Sequence, residues 1–213
     1  MNIWTSKVGA AALVCLTLAA CEDGFGLPGA GLPDDGLRSA TLSRGAVMLV
    51  PPPGFCIDRR SLRARFALMA RCDTLGSTGA DDAPLALITV TTVPSTTDAA
   101  LTGDALGAQS ETVLDREDRS GLTLIRVRGT PPSPALRETY WRAASRVGTE
   151  IVGLAIYEAE DGAPLGPQAP RLLQEAMQRT QDQTVAMTVA RADNSATPPD
   201  NNAVRAFADG SFQ

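Results

Sequence analysis

The chain has 213 residues with 19 basic and 24 acidic side chains, a formal charge of −5, and no histidine; Lys7 is its single lysine. The acidic balance argues against broad nucleic-acid binding, which draws its affinity from neutralising phosphates. Without histidine there is no Ser-His-Asp or Cys-His relay, and without lysine beyond residue 7 there is no later Schiff base, P-loop or Ser-Lys dyad.

In chain order, Met1 to Lys7 carries one positive charge, and Val8 to Ala20 is an apolar run interrupted only by Gly9 and Thr17. A run of this length suits the core of a signal peptide and falls short of the roughly 20 residues that span a bilayer. It ends in Leu18-Ala19-Ala20-Cys21, which resembles the lipobox of bacterial lipoproteins. The resemblance implies a signal peptide over 1–20, cleavage before Cys21, lipid on that thiol, and a protein tethered to a membrane on its periplasmic face. Two or three acyl chains hold firmly, because each buried methylene contributes about 0.8 kcal/mol and one chain alone is marginal. Glu22 and Asp23 follow the cysteine and leave the choice between inner and outer membrane open. Loss of 1–20 removes Lys7 and Cys15, leaving 18 arginines as the only basic side chains.

Residues 21–44 are rich in Gly, Pro and Asp with isolated Leu and show neither strand nor helix period, which predicts a flexible tether. Residues 191–213 are rich in Ala, Asn, Asp and Pro and read as a disordered tail. The globular domain is expected over 45–190.

Within it, Ala46 to Val50 predicts a strand stopped by Pro51-Pro52-Pro53-Gly54, with Phe55-Cys56-Ile57 as a short extension. Arg65 to Cys72 alternates, with Phe66, Leu68, Ala70 and Cys72 on one face, taken as the apolar one. Leu85 to Val93 is β-prone, with Ile88, Val90 and Val93 among threonines, and Thr97 to Leu106 has a helix-start signal. Glu111–Asp115 and Leu122–Arg128 predict a hairpin across 117–121, and Glu138–Arg146 with Glu150–Glu158 a second one about Gly148-Thr149. In the second, the alternation of Tyr140 and Trp141 suggests one buried and one wet face. Arg171 to Gln183 places Leu172, Leu173, Ala176, Met177 and Thr180 on one helical stripe. The expected class is α+β: an antiparallel sheet packed by a C-terminal amphipathic helix and one short helix, flanked by tether and tail.

The Pro-Pro-Gly-Phe strand exit at 52–55, the strand 85–93 followed by Thr96-Thr97-Asp98, the late hairpin ending in Ile151 to Tyr157, and the closing helix together resemble the PsbP-like family. That family comprises an extrinsic photosystem II subunit and related bacterial lipoproteins. The resemblance covers about 130 residues and implies an antiparallel sheet packed by helices; it implies no activity.

With Cys21 committed to lipid, Cys56 and Cys72 remain as an even pair in an oxidising compartment, which predicts a disulfide. It closes a loop of about 15 residues, worth about 3 kcal/mol in the chain-entropy model. Two thiols without an imidazole do not complete a zinc site, and no metal or cofactor is expected. The carboxylates Asp81-Asp82, Asp115 with Glu117-Asp118, and Glu158 with Glu160-Asp161 fall where loops are expected and read as solvated turns. The densest basic segment is Arg59, Arg60, Arg63, Arg65 and Arg71. It suits anionic headgroups, lipopolysaccharide phosphates or an acidic partner. The other reading, which is preferred, is a solvated turn whose arginines pair with Asp58, Asp73 and other carboxylates. Tyr140 and Trp141 are expected to pack in the sheet.

These readings predict a membrane-anchored, non-catalytic lipoprotein of the cell envelope that binds another envelope component. The alternative is a module that holds a small apolar or anionic ligand between sheet and helix.

Overall fold

A computed structural model describes residues 35–78, 82–95, 102–108, 112–119 and 121–196, all within the unit Gly31–Gln213. The signal segment, Cys21, the tether up to 34 and the tail from 197 lie outside the described residues. The elements are β1 (Gly36–Leu37), β2 (Ala40–Leu42), β3 (Val47–Leu49), β4 (Phe55–Asp58), β5 (Phe66–Arg71) and β6 (Ala86–Pro94), then α1 (Gly103–Gly107). They continue with β7 (Thr112–Arg119), β8 (Leu122–Arg128), β9 (Thr139–Val147), β10 (Glu150–Glu158) and α2 (Gln168–Ala196). Eight strands form one sheet in the order β1-β4-β5-β6-β10-β9-β8-β7, while β2 and β3 make a separate ladder. The class is α+β.

Two antiparallel meanders, β4-β5-β6 and β7-β8-β9-β10, meet where β10 pairs with β6 from Glu150↔Pro94 to Glu158↔Ala86. That seam joins the ends of the two meanders, so the chain crosses to the far edge between β6 and β7 and then folds back. One face of the sheet packs Leu124, Trp141, Ala143, Leu154 and Ile156 against Leu173, Ala176 and Met177 of α2. Helical spacing of three and four residues brings those three side chains onto one stripe. The ladder of β2 and β3 extends this core with Leu42, Val47 and Leu49. Helix α2 also serves β3 chemically. Thr184 Oγ1 accepts from Met48 N–H at 2.9 Å and Thr180 Oγ1 from Val50 N–H, just past β3, at 3.2 Å, satisfying two main-chain donors.

The opposite face of the second meander is covered as well, which corrects the expectation of a wet side. Ile125, Val127, Tyr140, Ala155 and Tyr157 form a second cluster beneath Leu106 of α1, with Val113 and Leu136. Helix α1, the described part of the connection between β6 and β7, lies on this face. Thr102 caps α1 by accepting from Ala105 N–H at 3.2 Å; the earlier part of the expected 97–106 helix, residues 97–101, lies outside the described residues.

Four further expectations change. Strands β1 and β2 begin at Gly36, inside the stretch assigned to the tether, because pairs of two or three residues show no sequence period. Helix α2 runs from Gln168 to Ala196, past both expected ends and into the expected tail. Its extension carries the β-branched Thr184, Val185, Thr188 and Val189, poor helix formers, and is held in place by Thr184 and by Arg191 Nη1, which donates to Gly45 O at 2.8 Å. In β5 the inward residues are Ala67 and Met69, both fully buried, while Phe66, Leu68 and Ala70 are half-buried. Both faces of that strand are apolar, so alternation alone could not orient it. Finally, β7 continues to Arg119 because each charged residue from Glu117 onward pairs with β8, and Gly121 at φ +81° turns the chain.

Candidate functional site

Cys56 and Cys72 are bonded, with Cα atoms 4.9 Å apart. Cys72 does not continue β5 as expected. It opens the 3-10 turn Cys72–Leu75, where its N–H donates to Gly54 O at 3.0 Å. The bridge therefore ties that turn to β4, and both sulfurs are buried.

The arginines of residues 59–71 do not converge. Arg60 Nη2 lies 2.5 Å from Asp35 Oδ2, Arg65 Nη1 2.8 Å from Glu150 Oε2, and Arg71 Nη2 2.5 Å from Asp73 Oδ2. Arg63 Nη1 donates to the carbonyls of Arg60 and Leu62 at 2.8 and 2.9 Å. Only Arg59 among the five makes no side-chain bond within the described residues. Asp58, expected to pair with this segment, instead caps the turn Arg59–Ser61 by accepting from Arg60 N–H. The Arg71 guanidinium beside Asp73 holds that carboxyl below its ordinary range.

The fold gathers a different set. An open cleft of about 1420 Å³ lies where α2 begins over the sheet. On β8, Arg126 and Arg128 share the face of Leu122 and Leu124 by strand alternation, and register places them across from Trp141 and Thr139 of β9. Arg171 enters from the first turns of α2, Arg119 from β7 and Arg137 from the segment before β9. Prolines form two walls: Pro131, Pro132 and Pro134 between β8 and β9, and Pro164, Pro167 and Pro170 before and within the start of α2. Trp141, read in the sequence as sheet packing alone, packs in the core and also lines the cleft.

Two of these arginines are spent on structure. Arg119 Nη2 lies 2.6 Å from Glu117 Oε2, a carboxylate oxygen shut off from solvent, in an ionic contact without hydrogen-bond geometry. Its Nη1 donates to Gln174 Oε1 of α2 at 3.4 Å. Arg137 donates to Ala159 O and Gly162 O at 3.2 and 2.8 Å and lies 3.8 Å from Glu158 Oε2. Arg126, Arg128 and Arg171 are exposed, and among the described residues their side chains have no hydrogen bond or ion pair. Asp115 stands opposite Arg126 in register, but its Oδ1 accepts from Arg116 N–H at 2.8 Å.

The two-residue spacing of Arg126 and Arg128 was the available sequence signal, since it marks one strand face as charged. The approach of Arg171, 43 residues beyond Arg128, was not legible. Among the described residues no three of His, Cys, Asp or Glu are grouped to share a metal ion, and no helix is long and apolar enough to cross a membrane. No protein-family model matches the chain, and no curated protein matches it in sequence.

Proposed function

We propose that this chain is a lipid-anchored lipoprotein of the cell envelope, facing the periplasm, whose domain binds another envelope component without catalysing a reaction. The anchor rests on Leu18-Ala19-Ala20-Cys21. The observation that carries the binding role is the filled space between sheet and helix: Leu124, Ala143, Leu154, Ile156, Leu173, Ala176 and Met177 are all buried there. Close packing at these positions favours recognition at the surface over an apolar site in the middle of the interface between sheet and helix.

Two experiments test the two parts. Cys21→Ser should leave an unprocessed precursor that takes up no labelled palmitate; normal labelling of that variant removes the anchor. In cells, crosslinking of the anchored wild type should enrich an envelope protein over the Cys21→Ser control, and equal recovery from both removes the accessory role. A second reading, a small anionic ligand, is favoured by Arg126, Arg128 and Arg171 of the cleft, which have no ion pair among the described residues. The cleft exceeds the roughly 300–1,000 Å³ of ordinary small-molecule pockets, which supports a macromolecular partner.

A further inference from the structure

We propose that the cleft at the start of α2 binds an acidic peptide segment of a partner protein, with Arg126, Arg128 and Arg171 as its carboxylate receptors. This deepens the binding role proposed above and rests on it.

The inference starts from an imbalance. In a chain with more acidic than basic residues, arginines are readily neutralised, and Arg60, Arg65, Arg71, Arg116, Arg119 and Arg137 all lie within ion-pair distance of a carboxylate. Among the described residues Arg126, Arg128 and Arg171 have none; Arg44, Arg59 and Arg179 lack one too, but only the first three, from a strand and a helix, line one concavity. A guanidinium presents a planar fork that matches a carboxylate through two parallel hydrogen bonds. Three such forks in one cleft can hold an acidic residue each along an extended chain.

The remaining lining selects among anions. Glu138 and Glu160 also border the cleft and have no ion pair among the described residues, while Glu117 and Glu158 are held by Arg119 and Arg137. Two unpaired carboxylates repel a continuous polyanion such as a phosphate-rich membrane surface, yet they tolerate separated acidic side chains on a peptide. The cleft is concave, which a flat bilayer cannot enter. Its proline walls and Trp141 give the peptide backbone rigid apolar sides that lose little entropy on binding.

The test uses the full-length protein and a fluorescein-labelled peptide of alternating glutamate and proline, read by anisotropy at low salt. Saturable binding is expected, with none for the matched glutamine-proline peptide. Joint Arg126→Gln, Arg128→Gln and Arg171→Gln should weaken it on the order of tenfold or more. The corresponding triple substitution to lysine should weaken it less, and Arg59→Gln with Arg63→Gln should leave it unchanged. Phosphatidylglycerol vesicles and tripolyphosphate should compete poorly at equal charge. No binding, equal binding to the glutamine triple variant, or stronger competition by vesicles or tripolyphosphate overturns the proposal. If the triple variant does not fold, Arg171→Gln alone should still weaken binding by roughly threefold, and an unchanged affinity overturns it equally. Should the peptide fail while crosslinks to an envelope protein persist, the cleft assignment falls and the binding role stands; absence of both ends both.

Discussion

Arg65 Nη1 donates to Glu150 Oε2 at 2.8 Å, joining residues 85 positions apart. The glutamate side chain is 8% exposed and the arginine 45%. Arg65 also donates to Thr92 O at 3.4 Å, so it bridges the neighbouring ends of β6 and β10. This pair gives one arginine of the densest basic segment a carboxylate partner within the fold.

Its strength is measurable. A half-exposed guanidinium is screened by water, so the pair is worth less than a fully buried one. A double-mutant cycle with Arg65→Met and Glu150→Gln, read by urea unfolding, should give a coupling of about 1 kcal/mol. A coupling indistinguishable from zero would show that Glu150 is buried at no benefit from its partner.

The Cys56–Cys72 bridge should contribute about 3 kcal/mol, the loop-closure value for its span. Replacing both cysteines with serine should lower unfolding stability by that order. In the native protein neither thiol should react with iodoacetamide until a reductant is added. Alkylation without reductant contradicts the bonded pair.

Ser43, Arg44 and Gly45 occupy consecutive positive φ values of 52°, 57° and 85°, a left-handed turn between β2 and β3. For the two residues with side chains this costs about 1–2 kcal/mol each. Arg44 has no side-chain bond among the described residues to offset it, so Arg44→Gly should be neutral or stabilising by up to about 1 kcal/mol. Ser43 is buried, and its Oγ lies 2.6 Å from Thr92 Oγ1. Ser43→Gly should therefore destabilise, because Thr92 loses its hydroxyl partner in the core. Thermal melts showing the same sign for both substitutions would contradict this account.

Tyr157 packs on Tyr140 with ring centroids 4.6 Å apart. Burial first, then the neighbouring Tyr140, raises its phenol above the ordinary 10.0. The unfolded chain then ionises before the folded one. Stability is full below pH 10 and declines as pH rises towards the higher folded value. Melting temperatures across that alkaline range should fall less for Tyr157→Phe than for wild type. Parallel curves would assign the alkaline loss to other groups.

How far the sequence reached is visible in single residues. Ile88, Val90 and Val93 among threonines mark 85–93 as a strand, and in the structure Ile88 and Val90 are fully buried positions of β6. Val93 is 52% exposed, while Thr92, two positions beyond Val90, is buried because Ser43 supplies its hydrogen bond. A polar residue can occupy the core only when a partner is brought to it, and that partner lies 49 positions away. The Leu173-Ala176-Met177 stripe and both late hairpins were legible for the opposite reason: their patterns depend on neighbours within a few residues.

The sequence by itself determined the α+β class and the two late hairpins. It also paired Cys56 with Cys72 by elimination, once Cys21 is read as the lipidated residue. These follow from local periodicity and from counting reactive groups. Tertiary structure alone decided which arginines are spent and which have no partner among the described residues. Arg59, Arg60, Arg63, Arg65 and Arg71 are adjacent in the chain, but three of them meet carboxylates and Arg63 meets backbone carbonyls. Arg126, Arg128 and Arg171 are distant, and strand register together with the start of α2 brings them to one cleft. Charge neutralisation depends on distances of a few ångströms through space, and linear order does not set those distances.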